Sequence, residues 1–489
     1  MRNERPFYGV PPLVPWIIIA LVGGCGRDTA MARPGASNAA GALAESGAEA
    51  PGETAAEAGK NDGGENGTSV LDGGSDAPIF VACPGLMKFE DPAFESAVAR
   101  ILGVSSGHVL GQDVARLTAL KLNGQSIQSI HEIECFPQVH FLDITQNKIA
   151  DLSPIAHLAN LETLAAGDNA IVTVPPLAEL KRLKILYLHS NPLVDISHLS
   201  DLTSLEALFI GNFSQSTDAS IKDLSPIAAL DHLTDLEIVH AHLSDLSPLR
   251  SLTRIDMLNL RGNAIEDLKP LASSPVHHLL LDDNPVADLS PLAAMTQLVG
   301  IGLVRTLATD FSALGELTQM ESIALSYTTV SDLSFLSGLT KLTNVDLDHT
   351  PVSDISPLRS LSSLRSIAFG SARISDFSPL ADLTELVTIE ATNSSMKNLD
   401  FSTTLAKLEQ LEAKANAIDD LTPLGNLSKL NALSLNMNAI TDLTPLVSNP
   451  ALTSGAKIDL TDNPIDCRAQ ATNIANLIAR GVAVTSSCH

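Results

Sequence analysis

Aliphatic residues recur with a fixed spacing along most of the chain, from Leu117 onward. One well-formed unit, from Leu252 to Leu271, reads Leu-Thr-Arg-Ile-Asp-Met-Leu-Asn-Leu-Arg-Gly-Asn-Ala-Ile-Glu-Asp-Leu-Lys-Pro-Leu. A period held this long predicts a stack of similar turns that together bury one continuous core. The position of the second asparagine in this unit, called the asparagine position below, recurs with steps of mostly 22 residues at 125, 147, 169, 191, 219, 241, 263, 284, 306, 328, 350, 372, 394, 416, 438 and 463.

Each turn contains a strand, a bend and a short helical segment. The leucines of the Leu-x-Leu pair alternate with polar positions, which predicts a short strand with its leucines inward. An asparagine inside the following bend would satisfy backbone groups that the bend exposes. In the Asp-Leu-Ser-Pro-Leu segment, serine is a natural N-cap and proline fits the first helical position, which predicts 3₁₀ turns. The predicted fold class is an α/β repeat, a curved solenoid with a parallel sheet on the concave face, short 3₁₀ turns on the convex face and a helical cap at each end.

The period and the Asp-Leu/Ile-Ser-Pro-Leu segments resemble the internalin-type leucine-rich repeats of bacterial surface proteins, over about residues 114–465. This resemblance implies a leucine-rich-repeat solenoid. It also implies protein recognition, because internalins bind host receptors on the concave sheet face. Several internalins are anchored to the cell wall through the C-terminus, whereas the anchor predicted for this chain lies near its N-terminus.

Both ends of a solenoid need a cap, because each end exposes an apolar cross-section. Residues 79–113 form the predicted N-terminal cap, with a helix over about 92–102 that begins after Asp91. Residues 466–489 form the predicted C-terminal cap, with a helix over 468–480. The predicted inner face of the first helix consists of Phe94, Val98, Ile101 and Leu102. That of the second consists of Ile474, Leu477 and Ile478.

Four of the five cysteines fall in or beside these caps, and four cysteines allow three pairings. Cys83 and Cys135 lie at the N-terminal end of the predicted solenoid, and Cys467 and Cys488 bracket the C-terminal cap. Most of the solenoid separates the two ends, which is far beyond the reach of a disulfide. We therefore expect the disulfides Cys83–Cys135 and Cys467–Cys488 in an oxidising compartment. The alternative is a set of free, buried thiols.

The fifth cysteine, Cys25, ends a segment that has the pattern of an export signal. Arg2 and Arg5 precede an apolar run from Leu13 to Val22, which is too short to cross a bilayer as a helix. The run ends in Val-Gly-Gly-Cys, which resembles the lipobox of bacterial lipoproteins. By that resemblance the signal peptide is cleaved and the Cys25 thiol carries diacylglycerol. The alternative is an ordinary signal peptide with an incidental cysteine.

The segment boundaries near the N-terminus follow from composition. Residues 1–24 are the predicted signal peptide. Residues 25–78 begin with the lipidated cysteine and are rich in Ala, Gly and Glu, with almost no large apolar side chain. Such a segment buries too little surface to offset its conformational entropy, so we expect a disordered acidic tether. Its predicted role is to hold the folded part clear of a membrane surface.

Composition and charge narrow the range of partners. The formal net charge is −26, which argues against nucleic acid because few cations would neutralise the phosphates. Aromatic residues are 3% of the chain and apolar residues 45%, so an aliphatic, thin and stacked core is favoured. The sequence contains no HExxH motif, no CxxC pair, no phosphate-binding loop and no calcium-loop spacing. We therefore expect no cofactor and no small-molecule substrate.

Three features that resemble chemical sites have simpler interpretations. Residues 103–107, Gly-Val-Ser-Ser-Gly, match GxSxG but follow a helix, so they lack the context of a nucleophile elbow. His277 and His278 are adjacent at a strand start and face opposite ways, which is a poor arrangement for metal binding. The aspartate before each Ser-Pro could form a ladder of cation sites. Its recurrence at the repeat period favours a structural role in the turn, and we expect neither a metal site nor an enzyme.

The side chains six, four and two residues before the asparagine position point to the concave face. Turns up to about residue 282 place apolar and aromatic side chains there, whereas later turns place mainly small and acidic ones. Exposed aromatic side chains indicate an area that a partner covers, although mutual burial of neighbours is an alternative. The predicted partner-binding residues are Phe141, Ile185, Tyr187, His189, Phe209, Met257, His278 and Leu280.

Two functions fit these features. The first is a non-enzymatic, surface-tethered bacterial lipoprotein that binds a protein partner on its concave face, for adhesion or recognition. The second is an envelope-structural lipoprotein, or one that binds glycan or cell-wall polymer. Both place the protein outside the cytoplasm in the bacterial cell envelope, held at the outer membrane or cell surface by its N-terminal lipid.

Overall fold

A computed structural model of the protein describes residues 83, 85–212 and 220–488. The predicted lipidation site Cys25 lies outside the described residues, as do the predicted signal peptide and the whole predicted tether.

Short strands recur once per turn and build one parallel sheet. Equivalent residues of consecutive turns are in register, as Tyr187 is with Phe209. The leucine that precedes each of these two rings, Leu186 in β4 and Leu208 in β5, is fully buried. The strands of the described residues are β1 (Ala119–Lys121), β2 (Phe141–Asp143), β3 (Thr163–Ala165), β4 (Ile185–Tyr187), β5 (Ala207–Gly211), β6 (Asp235–Val239), β7 (Met257–Asn259), β8 (His278–Leu280), β9 (Gly300–Gly302), β10 (Ser322–Ala324), β11 (Asn344–Asp346), β12 (Ser366–Ala368), β13 (Thr388–Glu390), β14 (Gln410–Glu412), β15 (Ala432–Ser434), β16 (Lys457–Asp459) and β17 (Ala483–Thr485).

The opposite side of nearly every turn is a 3₁₀ helix, as the Ser-Pro pattern predicts. Because the sheet lies on the inner, concave face and the 3₁₀ helices on the convex face, the turns stack into a curved solenoid. The 3₁₀ helices are His131–Cys135, Ser153–His157, Ser197–Asp201, Ser225–Ala229, Ser247–Ser251, Lys269–Leu271, Ser290–Ala294, Ser312–Glu316, Ser334–Gly338, Ser356–Ser360, Ser378–Asp382, Asp400–Thr404 and Thr422–Leu424.

The recurrent aspartate caps these 3₁₀ helices. In one turn, Asp151 Oδ1 accepts the backbone N–H of Ser153 at 2.8 Å, and Asp151 Oδ2 accepts the serine hydroxyl at 2.8 Å. This confirms the structural interpretation of the aspartate. The expected N-cap role of serine is wrong, because its hydroxyl donates to the aspartate instead of accepting from the helix. The backbone bond, to the residue two positions later, recurs at Asp195, Asp223, Asp245, Asp267, Asp288, Asp310, Asp332, Asp354, Asp376, Asp420 and Asp442.

The N-terminal helix has the predicted bounds. Helix α1 (Pro92–Leu102) begins after Asp91, whose carboxylate accepts the backbone N–H of Ala93 at 2.7 Å, and it ends at Gly103 in the left-handed conformation. Its buried face is centred on Phe94 and Val98 and includes Ala97 and Ala99. Ile101, expected on that face, is 39% exposed because it lies at the margin of the contact. A short helix, α2 (Gly111–Val114), follows before the first strand.

The C-terminal cap is more extensive than predicted. One convex segment is a short α-helix, α3 (Thr444–Ser448), and the cap helix is α4 (Ala471–Ala479). Leu477 of α4 is fully buried, but Ile478 is 54% exposed, contrary to its predicted inward position. Strand β17 follows α4 and pairs in parallel with β16, which extends the sheet by a strand that the repeat pattern does not predict. A one-residue offset on a helix turns a side chain by about 100°, so burial of Leu477 directs Ile478 outward.

Both ends are held by disulfides in the expected pairing. Cys83 is bonded to Cys135, with Cα atoms 5.6 Å apart, and Cys467 is bonded to Cys488, with Cα atoms 5.3 Å apart. Disulfides form and persist in oxidising compartments, so the two bonds support a location outside the cytoplasm.

Asparagine side chains bond successive turns to one another. Asn191 is fully buried, its Oδ1 accepts the backbone N–H of Ile171 at 3.0 Å, and its Nδ2 donates to the carbonyls of Ala166 and Leu188 at 2.9 and 3.0 Å. One amide therefore satisfies backbone groups of two turns. The same arrangement occurs at Asn147, Asn169, Asn263, Asn284, Asn416, Asn438 and Asn463.

Candidate binding face

The concave face carries three columns of side chains that run across the strands. Along the middle column, Tyr187, Phe209, Glu237 and Asn259 follow one another in register on β4, β5, β6 and β7. We call strands β2 to β8 the aromatic half of this face and strands β10 to β16 the polar half. Strand β9, with Gly300 and Gly302 facing inward, separates the two halves.

The centre of the aromatic half is a pair of stacked rings. The centroids of Tyr187 and Phe209 are 4.5 Å apart, and their planes differ by 10°. His189 lies edge-on to Tyr187, with centroids 6.3 Å apart. All three side chains are half-buried, so mutual stacking covers part of each ring and leaves the rest open to the concave side.

The imidazole of His189 fits on the concave side because the neighbouring turn has a glycine, Gly167, at the aligned position. A Cβ atom at Gly167 would lie 2.4 Å from His189 Nε2, so the imidazole occupies the space above the glycine. Burial lowers the pKa of His189, and the Asp168 carboxylate, 3.9 Å from Nε2, acts in the opposite direction. Since a lowered pKa favours the neutral ring at pH 7, His189 adds a largely uncharged surface to the aromatic pair.

Two carboxyl groups adjoin the aromatic pair on strand β6. Asp235 accepts the hydroxyl of Thr234 at 2.7 Å, and Glu237 accepts the side-chain amide of Asn259 at 2.7 Å. Burial raises the pKa of both carboxyl groups, that of Glu237 to about 7. The pKa of Tyr187 is raised first by burial and then by the charges of Asp235 and Glu237. The negative potential of the two groups therefore reaches the stacked rings.

The last strands of the aromatic half contain an ion pair and a buried leucine. Arg261 pairs with Asp282, whose other oxygen accepts the backbone N–H of Val304 at 2.9 Å. Leu280, a predicted partner-binding residue, is only 2% exposed. Its side chain lies toward Gly302, where a Cβ atom would be 3.1 Å from it, and so it fills the space that the glycine leaves. Leu280 therefore lies on the concave side but offers a partner almost no exposed surface.

The other predicted residues, Phe141, Ile185, Met257 and His278, are half-buried on the concave side with Tyr187, His189 and Phe209. The structure thus places all eight predicted side chains on the concave side, and seven of them are partly exposed. They extend over strands β2 to β8, and the stacked rings occupy the middle of this stretch.

The polar half has small side chains and aspartates that bond to the backbone. Asp346 accepts the backbone N–H of Asp348 at 3.0 Å, and Asp348 accepts that of Gly370 at 2.6 Å. Burial raises the pKa of Asp346 to about 6. Ala324 and Ser326, expected on the concave surface, are 2% and 1% exposed, so this half offers a partner little apolar area.

A second stack lies at the edge of the polar half and was not predicted. Arg305 pairs with Asp283 at 3.3 Å, its guanidinium carbon lies 4.6 Å from the centroid of the Tyr327 ring, and this ring stacks on His349 with centroids 4.3 Å apart. Arg305, Tyr327 and His349 occupy the position directly before the asparagine position, where φ is positive in the turns that the structure describes. The signal is present in the sequence, because Arg305, Tyr327 and His349 have planar side chains and are spaced by 22 residues.

The features considered for chemistry have structural roles. Gly103 of the GxSxG match ends helix α1, and the backbone N–H of Gly107 donates to Glu95 at 2.6 Å. His277 pairs with Asp256 at 2.6 Å, whereas His278 faces the concave side. In the described part of the chain, no group of three His, Cys, Asp or Glu side chains is placed to hold a metal ion. No helix of that part is long and apolar enough to span a bilayer.

The parallel sheet, the 3₁₀ turns and the asparagine bonds together define a leucine-rich-repeat solenoid. A family model described as leucine-rich repeats, two copies, matches residues 159–201. No curated protein sequence matches the chain. Proteins with this fold typically bind other proteins.

Solved structures give the same fold. The internalin InlF of Listeria monocytogenes is 29% identical, with 70% of this chain and 94% of that chain covered and a TM-score of 0.59. A leucine-rich-repeat protein of Leptospira interrogans is 18% identical, with 76% and 97% covered and a TM-score of 0.61. The plant peptide hormone receptor RGFR1, solved in complex with RGF2, is 18% identical, with 78% and 68% covered and a TM-score of 0.51.

Proposed function

We propose that the protein is a non-enzymatic bacterial lipoprotein, held at the cell surface by a lipid on Cys25, that recognises a protein partner on the aromatic half of its concave face. The stacked pair of Tyr187 and Phe209 carries the proposal. The chain has only 3 Tyr and 13 Phe, yet two of these rings lie half-open at the centre of the face. Aromatic side chains are the residues that most often dominate protein interfaces.

The position of the pair supports recognition more than a purely structural role. The core of each turn is already filled by buried leucines such as Leu186 and Leu208, so the rings of Tyr187 and Phe209 are not needed to fill it. On the polar half, the same column has Ala324, Asp346 and Ala368 and folds into the same strands. The turn therefore does not require aromatic residues at this position, and a partner that covers them explains their presence.

Paired alanine substitution tests the binding site. A partner is first captured with the full-length chain, and its affinity is then measured for Tyr187→Ala/Phe209→Ala and for the matched control Asp346→Asn/Asp348→Asn. We expect the aromatic change to weaken binding by about tenfold or more, with an unchanged melting temperature. If only the control weakens binding, the site lies on the polar half. A captured glycan or cell-wall polymer in place of a protein would favour the envelope-structural function.

The anchor has its own test. The Val-Gly-Gly-Cys run predicts that Cys25→Ser releases the protein into the soluble fraction, and that metabolic acyl labelling of the wild type is positive. A variant that stays in the membrane, together with negative labelling, would contradict the lipoprotein proposal. Protease treatment of intact cells then distinguishes a surface protein, which is digested, from one that faces the periplasm.

A further inference from the structure

The aromatic half has more negative than positive charge available to a partner. Among its described concave positions are Asp143, Asp235, Glu237 and Asp282 but a single cation that is charged throughout the neutral range, Arg261. Arg261 is engaged by Asp282. Asp235 accepts a hydrogen bond from the neutral donor Thr234 and Glu237 from the neutral donor Asn259, and the cation that attracts Glu237, Arg261, is already paired with Asp282.

These two carboxylates are next to the rings and to apolar side chains. Glu237 follows Phe209 in the middle column, and Asp235 lies between Ala207 and Met257 in the neighbouring column. The face of an aromatic ring attracts a cation, and a carboxylate attracts it more strongly when both are shielded from water. A cation bound here would be attracted both by the rings and by the carboxylates. Apolar side chains next to that cation would contact Ile185 and Met257.

We propose that the partner presents an arginine or lysine flanked by apolar side chains, and that this cation binds between the Tyr187–Phe209 pair and the carboxylates of Asp235 and Glu237. This inference rests on the proposed function of the concave face and specifies the chemistry of the partner. A cationic partner also fits the net charge of the chain, −26, because long-range attraction would steer it toward the protein.

The test uses two labelled peptides of one length. One is acetyl-Leu-Arg-Leu-Arg-Leu-Arg-Leu-amide, and the other has citrulline in place of every arginine, which keeps the shape and removes the charge. Binding to the purified full-length chain is measured by fluorescence anisotropy at physiological salt. The variants are Asp235→Asn/Glu237→Gln and the matched control Glu390→Gln/Glu412→Gln, which removes the same number of carboxylates from the middle column of the polar half.

We expect the arginine peptide to bind, and Asp235→Asn/Glu237→Gln to weaken that binding by about tenfold. The control should change it by less than about twofold, and the citrulline peptide should bind all forms weakly. Equal losses in both double variants would overturn the inference, because binding would then follow net charge alone. Failure of the arginine peptide to bind, or equally tight binding of the citrulline peptide, would also overturn it.

A third variant separates this inference from the proposed function. If the citrulline peptide binds tightly and Tyr187→Ala/Phe209→Ala abolishes that binding, the concave site stands and the cation assignment is wrong. If the arginine peptide binds equally to the wild type, the aromatic variant and the acidic variant, both assignments are wrong. Melting temperatures of all variants show whether each remains folded, and removal of the two buried charges should not lower them.

Discussion

The two halves of the concave face are built on the same turn, yet they differ in surface chemistry and in how often an asparagine holds the bend. Cross-turn asparagines are Asn147, Asn169, Asn191, Asn263 and Asn284 in the aromatic half, and Asn416, Asn438 and Asn463 in the polar half. In the aromatic half, Asn191 bonds to Ile171 and Ala166 of the preceding turn and to Leu188 of its own turn. In the polar half, Thr328 instead donates its hydroxyl to the Leu325 carbonyl at 2.6 Å, within its own turn. Thr306, Thr350 and Ser394 make the same local bond.

The difference between the two kinds of bend follows from the number of hydrogen-bond donors and acceptors on each side chain. An amide has two N–H donors and a carbonyl acceptor, so Asn191 can bond two turns at once, whereas a hydroxyl has one donor. Both side chains satisfy a local carbonyl, but only the amide adds bonds between turns. The aromatic half, which has the exposed rings, is thus also the half with more asparagine bonds between turns. Such bonds are expected to make this half more rigid, and a rigid scaffold holds binding side chains more accurately.

The largest expected effect concerns the ends of the solenoid, which are bonded covalently. Reduction of Cys83–Cys135 or Cys467–Cys488 should destabilise its end by about 3–4 kcal/mol, since these bonds close loops whose cysteines are 52 and 21 residues apart. Hydrogen exchange after reduction should accelerate first in β1, β2, β16 and β17. Uniform acceleration along the chain, or free thiols in peptide maps of the exported protein, would contradict this prediction.

The next effect is a pH dependence of stability in the aromatic half. Burial raises the pKa of Glu237 from 4.5 to about 7, so the folded state binds a proton more tightly than the unfolded state. The resulting stability is fully present below about pH 4.5 and is lost as pH rises to about 7. Glu237→Gln should therefore stabilise the protein by up to about 3 kcal/mol at pH 8 and have little effect at pH 4. Urea unfolding at both pH values measures this.

Two other groups of carboxylates serve as controls. Asp346→Asn, in the polar half, should give the same sign over a lower window, from 3.8 to about 6. The capping aspartates, such as Asp245 and Asp376, have lowered pKa values because they accept hydrogen bonds from the following serine. Their contribution is present above about pH 3.8 and is lost as pH falls further. If Glu237→Gln shifts stability equally at pH 4 and pH 8, Glu237 does not titrate as described.

A smaller effect compares the two kinds of bend directly. Asn191→Ala should cost about 2–3 kcal/mol, because it leaves the buried N–H of Ile171 without its acceptor and removes the bonds to the carbonyls of Ala166 and Leu188, of which Ala166 keeps only the Asn169 amide. Thr328→Ala should cost about 1 kcal/mol, since it removes one local bond. Urea denaturation midpoints of the two variants give the ranking. Equal losses would mean that the cross-turn bonds add no stability.

The periodic residues predict most of this architecture. The spacing locates the strands, the 3₁₀ helices and the asparagine bonds, because the same strand, bend and helical segment recur along the repeat. Predictions are less accurate where a residue meets a neighbour that is not periodic. Leu280 is buried because Gly302 leaves space beside it, and Ile478 is exposed because Leu477 faces the core. The second stack does not follow from the strand alternation, because Tyr327 and His349 lie in the bends after the strands, where φ is positive.

The smallest expected effect comes from a substitution that replaces a threonine bend by an asparagine bend. Thr328→Asn places an amide where the backbone already has the geometry of an asparagine bend, since φ is 57° at Tyr327 and 56° at Ser190. Its Oδ1 would accept the N–H of Ala308 and its Nδ2 would donate to the Leu303 carbonyl, by analogy with Asn191. Each new bond contributes about 0.5–1 kcal/mol, less the entropy of fixing the side chain, so we expect a gain below about 1 kcal/mol. Slower hydrogen exchange at Ala308 would identify the bond itself. A loss of stability with unchanged exchange at Ala308 would show that the threonine bends are packed too closely for an amide, and that the two halves differ in shape as well as in hydrogen bonding.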